Sequence, residues 1–343
     1  MKRWHILVLF FLAGTTAFSQ NADSVFIKRI SDEILTNGKA YDNLRQLTKQ
    51  IGGRLAGSPG MVKAEQWGLK KMQENGADKA WMQECMVPHW VRGGKDEATA
   101  SWTAPAAASG NKKELKQVRS LDIIALGNSM GTGEKGISGE LLLIHSFDEL
   151  EKKKEEVKGK IVFYNYRFND TYINTFLSYR DAGQYRGQGP SRAAKYGAKA
   201  VLVRSMTHAT DNNPHTGATR YDSAYAKIPA AAIGLKDADQ LSEQLKRNQV
   251  NVTLKTNGHF LPDTIGHNII GELTGSAFPD EIITVGGHLD SWDNCEGAHD
   301  DGAGVVQTIE IMRALKTLGY QPKRTIRFVL FANEENGGRG GAK

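Results

Sequence analysis

The sequence predicts an α/β protein, an open and mainly parallel mixed sheet flanked by helices, with a second, smaller α/β module inserted in the chain. Three observations carry that reading. The C-terminal residues run strand, helix, strand, and the middle of the chain alternates short apolar runs with polar helices. The composition, 40% hydrophobic and 24% charged over 343 residues, is that of an ordinary globular chain long enough for two domains. It excludes wholesale disorder, and 2 Cys exclude a disulfide scaffold. Lys and Arg (44) exceed Asp and Glu (38) by a net +6 that is scattered along the chain, so nucleic acid is not an expected partner.

At the N-terminus, Lys2 and Arg3 open an apolar run from Ile6 to Ala13 that ends in small residues around Ala17 and Ser19. This is the layout of a secretory signal peptide, with cleavage expected near Ser19 or Gln20. The run breaks at Gly14-Thr15-Thr16, short of the roughly 20 apolar residues of a membrane span. A secreted or periplasmic location, without stable membrane insertion after removal of the signal, is the resulting expectation.

Asp23 to Lys49 has helical periodicity through Val25, Ile27, Ile30, Ile34, Leu44 and Leu47. The Gly-rich turn Gly52 to Gly60, a helix over Met61 to Asn75 and a strand over Met82 to Val91 follow. Ser101 to Gln117, rich in Ala, Ser, Gly and Lys, marks a surface segment and a boundary. The expected divisions are a signal at 1–19, a first part of the main domain at 20–120, an insert at 121–256 and the continuation of the main domain at 257–343. Within the insert, strands are expected at Glu140 to His145, Gly159 to Tyr166, Ala198 to Arg204 and Ile228 to Ile233, with helices at Ser191 to Tyr196 and Lys236 to Lys246. The run Lys152 to Glu156 is expected on a solvated helix face. Gly131-Thr132-Gly133-Glu134-Lys135-Gly136 has the letters of a dinucleotide fingerprint but precedes a strand-like run rather than a helix, so a turn is expected. Whether Cys85 and Cys295 pair is open at this level.

The last section is the most informative. Glu281 to Gly287 is β-rich and ends at His288. Gly304 to Leu318 places Val305, Ile309, Met312 and Leu315 at helical spacing, and Thr325 to Ala332 is a buried-strand run. A parallel crossover is the default for such an order. His288 and Asp290 lie just past the first strand, Asp300 and Asp301 where the helix begins, and Glu334 and Glu335 just past the second strand. Ligands of open α/β sheets bind beyond the carboxyl ends of the strands, where these groups would converge. Each fragment alone is commonplace; their order and placement make them one candidate site. A His with carboxylates and no thiolate suits zinc in an open catalytic site. Asp290, two positions after His288, would share its face and accept the second imidazole N–H. Of the adjacent Glu334 and Glu335, one would bind metal and the other work on water.

Gly287 to Asp293, Gly297 to Gly304 and Phe331 to Glu335 resemble the co-catalytic zinc exopeptidases, in particular the carboxypeptidase Q-like branch. Arg54 to Ser58, Val87 to Gly93 and Pro214 to Gly217 are similar to that branch too, so the resemblance covers nearly the whole chain after the signal. It implies the phosphorylase/hydrolase-like zinc peptidase fold, with a protease-associated domain at 121–256. It implies two zinc ions, with His288 on one, Asp300 bridging both and Glu335 on the other. Glu334 would be the general base, Asp290 would orient His288, and the Asp300–Asp301 peptide would be cis. The substrate would be a dipeptide or the end of a short peptide, hydrolysed by activated water without a covalent enzyme intermediate. A homodimer is a further option.

In relatives a further Asp and His ligate metal downstream of the point reached by Lys343. The expectation is therefore of a truncated chain that binds zinc weakly and turns over little. His299 and Cys295 are expected away from metal, and the resemblance brings His89 and His215 toward a substrate cleft. An aminopeptidase of the same family and a non-catalytic binding protein on the same scaffold are the alternatives. Every ligand position that the chain reaches is filled by a ligand-capable residue, which argues against the latter.

Overall fold

The computed structural model describes residues 22–105 and 114–343, so the expected signal at 1–19 lies outside the described residues. No helix among the described residues is long and apolar enough to cross a membrane. In chain order the elements begin with α1 (22–37), α2 (Ala40–Arg45), a π-helical turn Gln46–Ile51 and α3 (Pro59–Glu74). Then come β1 (Lys79–Val91), β2 (Glu97–Pro105), β3 (Glu114–Leu121), β4 (Ile123–Ala125), β5 (Ile137–Ile144), α4 (Phe147–Lys152) and β6 (Ile161–Tyr164). They continue with α5 (Thr175–Gly187), α6 (Gly189–Ala194), β7 (Ala200–Arg204), β8 (Ala230–Ile233), α7 (Leu235–Leu245), β9 (Val250–Lys255) and β10 (His259–Leu273). The chain closes with β11 (Phe278–His288), a π-helical turn Ala298–Gly302, α8 (Ala303–Thr317) and β12 (Arg324–Phe331).

Two compact units result, one from the residues up to Val87 together with Thr264–Lys343, the other from Pro88–Asp263. The second unit therefore opens at Pro88, whereas the sequence reading opens its insert at 121. The physical reason is pairing: β2 is antiparallel to both β3 and β9, which fastens 97–121 to the insert's own sheet. The same pairing makes strands of both described ends of Ser101 to Gln117, and the later end, 115–117, is exposed at the surface.

In the first unit the sheet order is β1-β10-β12-β11. β10 and β12 are antiparallel, and β11 and β12 are parallel with α8 between them in sequence, as the crossover argument expects. The periodic residues of α8 go inside: Val305, Ile309 and Met312 are buried with Leu47, Met61, Met72, Ile269, Phe328 and Leu330, and Leu315 is partly buried against them. Ser58 starts α3 by accepting the Met61 N–H at 3.1 Å, with Pro59 next, a favoured helix opening. Gly68 lets α3 approach the sheet, since a Cβ there would lie 2.9 Å from Leu330 Cδ1. Cys85 is buried and Cys295 exposed, and both are free thiols.

The second unit carries an eight-stranded sheet, β3-β2-β9-β5-β6-β7-β8-β4. Its centre, β5 through β8, is parallel, and the pairs formed by β9 and β4 are antiparallel. Apolar clusters around Phe147, Tyr164 and Val201 and around Phe163, Leu202 and Leu241 complete it. Gly131–Gly136 forms a turn that feeds β5. Lys152 to Glu156 is the end of α4 and a short 3-10 turn rather than one helix face, and it is largely exposed.

Candidate metal centre

Parallel pairing sets the site. β11 and β12 run in register with His288 opposite Phe331, so the segments leaving both strands emerge at one end. His288 is the last residue of β11. Glu334 and Glu335 sit three and four residues past Phe331, in a loop turned by Asn333 at φ +60°, a left-handed conformation that Asn tolerates. Asn268 on β10 pins this loop: its Oδ1 accepts the Ala332 N–H at 2.9 Å and its Nδ2 donates to the Gly340 carbonyl at 3.0 Å.

The imidazole of His288 is held at both nitrogens. Nδ1 lies 3.1 Å from the main-chain oxygen of Asp290 and Nε2 2.9 Å from Asp300 Oδ1, with Glu334 Oε2 at 3.9 Å from Nε2. A carbonyl only accepts, so Nδ1 carries the hydrogen. The main-chain oxygen of Asp290 is the nearer partner of that N–H, and its carboxylate Oδ1 stands 3.6 Å from the same nitrogen. The carboxylate of Asp290, fully buried, also accepts the main-chain N–H of Glu334 at 3.0 Å and of Glu335 at 3.1 Å. It ties the loop after β12 to the loop after β11.

Asp301 plays a parallel part. Its Oδ2 accepts the His288 N–H at 3.0 Å and its Oδ1 the Gly304 N–H at 3.1 Å, joining the end of β11 to the start of α8. Gly287 leaves the room for it, because a Cβ there would sit 2.6 Å from Asp301 Oδ2 and 2.9 Å from the Gly304 carbonyl carbon. The Asp300–Asp301 peptide is cis.

Arg54 is the residue whose function the sequence reasoning missed. Its side chain, fully buried, donates from Nε to the Leu289 carbonyl, from one terminal nitrogen to Glu296 O at 2.8 Å and from the other to Gly297 O at 2.9 Å. It braces the stretch 289–297 that separates His288 from Asp300. The motif containing it was visible, but its partners are backbone oxygens, which leave no pattern in the sequence.

The electrostatics follow from this crowding. Burial works against a charged His288, but hydrogen bonding with Asp290 and Asp300 and the charges of Asp290 and Glu334 outweigh it and push the imidazole up to about 11. Its hydrogen bond holds the Asp300 carboxyl below the usual range. Burial first, then the charges of Asp300 and Asp290, push Glu335 up to about 8. Burial pulls the Arg54 guanidinium down, against the charge of Asp290. Asp300 and Glu334 have side chains 75% and 63% exposed, so both are open to solvent and ligand.

These residues fit a divalent metal as a partial set. Two ligands on one tetrahedral zinc, with bonds of about 2.0–2.1 Å, lie roughly 3.3 Å apart. The 2.9 Å between Nε2 and Asp300 Oδ1 is near that spacing. Among the described residues no three His, Cys, Asp or Glu side chains gather closely enough to hold one ion. His299 is exposed, and Cys295 lies 3.5 Å from the Trp292 carbonyl. His89 and His215 belong to the second unit.

Residues 268–343 match peptidase family M28. Over 303 residues the chain is 38% identical to carboxypeptidase Q of Homo sapiens, covering 88% of this chain and 60% of that protein. The crystal structure of a peptidase M28 precursor from Shewanella amazonensis superposes with a TM-score of 0.82 at 33% identity, covering 93% of this chain and 69% of that one. The chain belongs to peptidase family M28. The fold is shared further, with a zinc aminopeptidase from Bacillus subtilis at a TM-score of 0.60 and 24% identity, over 88% of this chain and 63% of that one. The M28 chain spans about 60% of the length of the curated relative it matches.

Proposed function

We propose that this site belongs to a zinc-dependent exopeptidase that hydrolyses dipeptides or removes terminal residues from short peptides. The observation that carries the reading is the approach of His288 Nε2 to Asp300 Oδ1 at 2.9 Å, beside Glu334, at the shared end of two parallel strands. His288, Asp300 and Glu335 are the proposed ligands, with Asp300 between two ions. The chemistry that such a pair supplies is acidification of water and polarisation of the scissile carbonyl. Glu334 takes the proton of the attacking water and returns it to the leaving amine. Asp290, through the amide N–H groups of Glu334 and Glu335, keeps base and ligand in register. The insert is read as a protease-associated domain, and the leader at 1–19 as an export signal that puts the peptidase in the periplasm or outside the cell.

Since these residues bring two donors together rather than three, they hold zinc weakly by themselves and turn over little. The test is zinc affinity, measured by competition with a chromogenic chelator, for the chain and for His288→Ala and Asp300→Asn. Both substitutions should weaken zinc at least about tenfold, the scale of a lost ligand or orienting group. Unchanged affinity in both would refute the assignment. Dipeptides blocked by N-acetylation or by C-amidation, assayed for hydrolysis by the full-length protein, then decide which terminus must be free: tolerance of the acetyl group supports a carboxypeptidase, tolerance of the amide an aminopeptidase.

A further inference from the structure

Glu334 and Glu335, the proposed base and ligand, stand between two asparagines whose side chains meet across them. Asn333 Nδ2 donates to Asn336 Oδ1 at 2.5 Å, which closes the turn that carries the two glutamates. Both asparagines are buried, Asn333 completely. Asn333 serves the rest of the loop as well: its Oδ1 accepts the Arg339 N–H at 3.2 Å, and its main-chain oxygen accepts the Gly338 N–H at 2.5 Å. The loop from 333 to 339 is thus wound about one side chain. At its base the Gly340 N–H donates to the Ala332 oxygen at 3.1 Å. Gly337 leaves room for the carboxamide, since a Cβ there would overlap Asn333 Oδ1.

Few residue types satisfy that position. Its φ of +60° is a left-handed conformation, which Gly, Asn and Asp adopt most readily. Gly has no side chain with which to bridge. An ionised Asp only accepts, so it takes the Arg339 N–H but has nothing to donate to Asn336 Oδ1. Asn supplies the backbone, the acceptor and the donor together. The Glu334 side chain, by contrast, is 63% exposed and stands 3.9 Å from His288 Nε2, so little packing fixes it and its aim follows from the backbone beneath it. Asp290 holds that backbone by the amides of Glu334 and Glu335. The bridge from Asn333 to Asn336 holds it from either end.

We propose that Asn333 is a positioning residue for the glutamate pair: its bridge to Asn336 keeps Glu334 and Glu335 in the places from which one works as base and the other as ligand. The proposal rests on the peptidase reading of the site. It separates two jobs within one loop. Asp290 ties the loop to the segment after β11, whereas Asn333 sets the shape of the turn that carries both acids. A group that only stabilised the fold would lower the unfolding midpoint and leave the folded site unchanged. A positioning group changes the site itself.

Two variants test this by different routes. Asn333→Gly keeps the left-handed backbone and removes the carboxamide, while Gly337→Ala, at an exposed position, keeps the carboxamide and pushes it aside. Zinc affinity of the folded chain, by chelator competition at pH 7, should fall about tenfold or more in both, the scale of a lost supporting group. In the full-length protein, kcat for dipeptide hydrolysis should fall at least about tenfold with KM within about twofold, since the base moves and the substrate contacts do not. Urea midpoints establish that each variant is folded where these are read. If Asn333→Gly does not fold, Gly337→Ala decides. His288→Ala, read by zinc affinity, and Glu334→Gln, read by kcat, are the references for the peptidase reading. If both references lose function while the loop variants keep zinc affinity and kcat within about twofold of the parent, the positioning role is overturned and the peptidase reading stands. If the references change nothing, that reading fails and the inference with it. A loss confined to the urea midpoint, or a raised KM with kcat kept, would also overturn the role.

Discussion

Replacing Arg54 by alanine should cost about 3–5 kcal/mol of folding stability, the scale measured when one partner of a buried charged interaction is removed. The structure sets the bounds. The guanidinium, fully buried, is the donor for four main-chain carbonyls, Leu289, Glu296 and Gly297 and, at 3.3 Å, Gly52. Hydrogen bonds to a charged group contribute about 1.5–3 kcal/mol each, so four give an upper bound of roughly 6–12 kcal/mol. The realised loss is smaller, because alanine does not carry the desolvation penalty of the cation and water can reach some of the freed carbonyls. Against a usual total of about 5–15 kcal/mol, the variant would be near the edge of folding. Arg54→Lys separates charge from geometry: it keeps the cation, but a single ammonium cannot span four carbonyls in a planar fork. It should fall between, about 2 kcal/mol below the parent. Urea unfolding followed by circular dichroism is the assay, with the midpoint reduced and the slope kept. An alanine variant within about 1 kcal/mol of the parent, inside the range of an ordinary surface substitution, would refute the bracing role.

The remaining predictions concern protons and space. In chelator, folding stability should decline as pH rises from about 4.3, the free Glu value, to about 11. Glu335, pushed up to about 8, keeps a proton that the unfolded chain has released, so the folded state loses ground until it ionises; His288, pushed up to about 11, gives stability that is complete below about 6.5 and lost above it. Urea midpoints at pH 5, 7 and 9 check this: they should fall in that order, Glu335→Gln should flatten the lower part, and rising midpoints would contradict it. Gly287→Ala should cost about 1–3 kcal/mol as an overpacked site and displace Asp301, read as a lowered thermal midpoint together with weaker zinc binding. Zinc binding at pH 7 should release about one to two protons, from Glu335 and His288, since ligands must be deprotonated. Calorimetry in two buffers of different ionisation enthalpy measures that number, and a value of zero would exclude both residues as ligands.

What the sequence disclosed depended on whether a feature carried a period. The buried face of α8 did, through Val305, Ile309 and Met312, and the apolar run Phe328 to Phe331 of β12 was legible as well. The meeting of His288 and Asp300 was legible from a rule of topology, because parallel strands deliver their ends to one place. β10 was not legible: its first six residues are exposed or half-buried and only the later ones are core, so no single alternation runs through it. α5 was hidden for a related reason, as it buries Ser178, Ala182 and Tyr185 with no continuous apolar stripe. β2 and β3 hid behind small and charged residues whose partners in the sheet are distant in sequence. Asp290 does more than its spacing to His288 disclosed: its main-chain oxygen and, at 3.6 Å, its carboxylate stand beside the imidazole, and the carboxylate also takes two amides more than forty residues away.

The distribution of charge gives the centre its chemical direction. Five carboxylates, those of Asp290, Asp300, Asp301, Glu334 and Glu335, gather near one guanidinium and one imidazole. Main-chain N–H groups take up two of them, Asp290 and Asp301, and that use is structural: it fixes loops. Asp300, Glu334 and Glu335 remain, with His288 as the cation among them. Glu335 reports the imbalance through a carboxyl held up at about 8 by burial and by its acidic neighbours. A site built only for stability would relieve such repulsion at Glu335 by replacing its carboxylate with an amide, because a partly buried charge among like charges is costly. Keeping all three acids is economical only where a further positive charge is part of the working state. Oxygen donors beside a single imidazole suit a divalent cation better than an organic ammonium, whose recognition relies on aromatic faces.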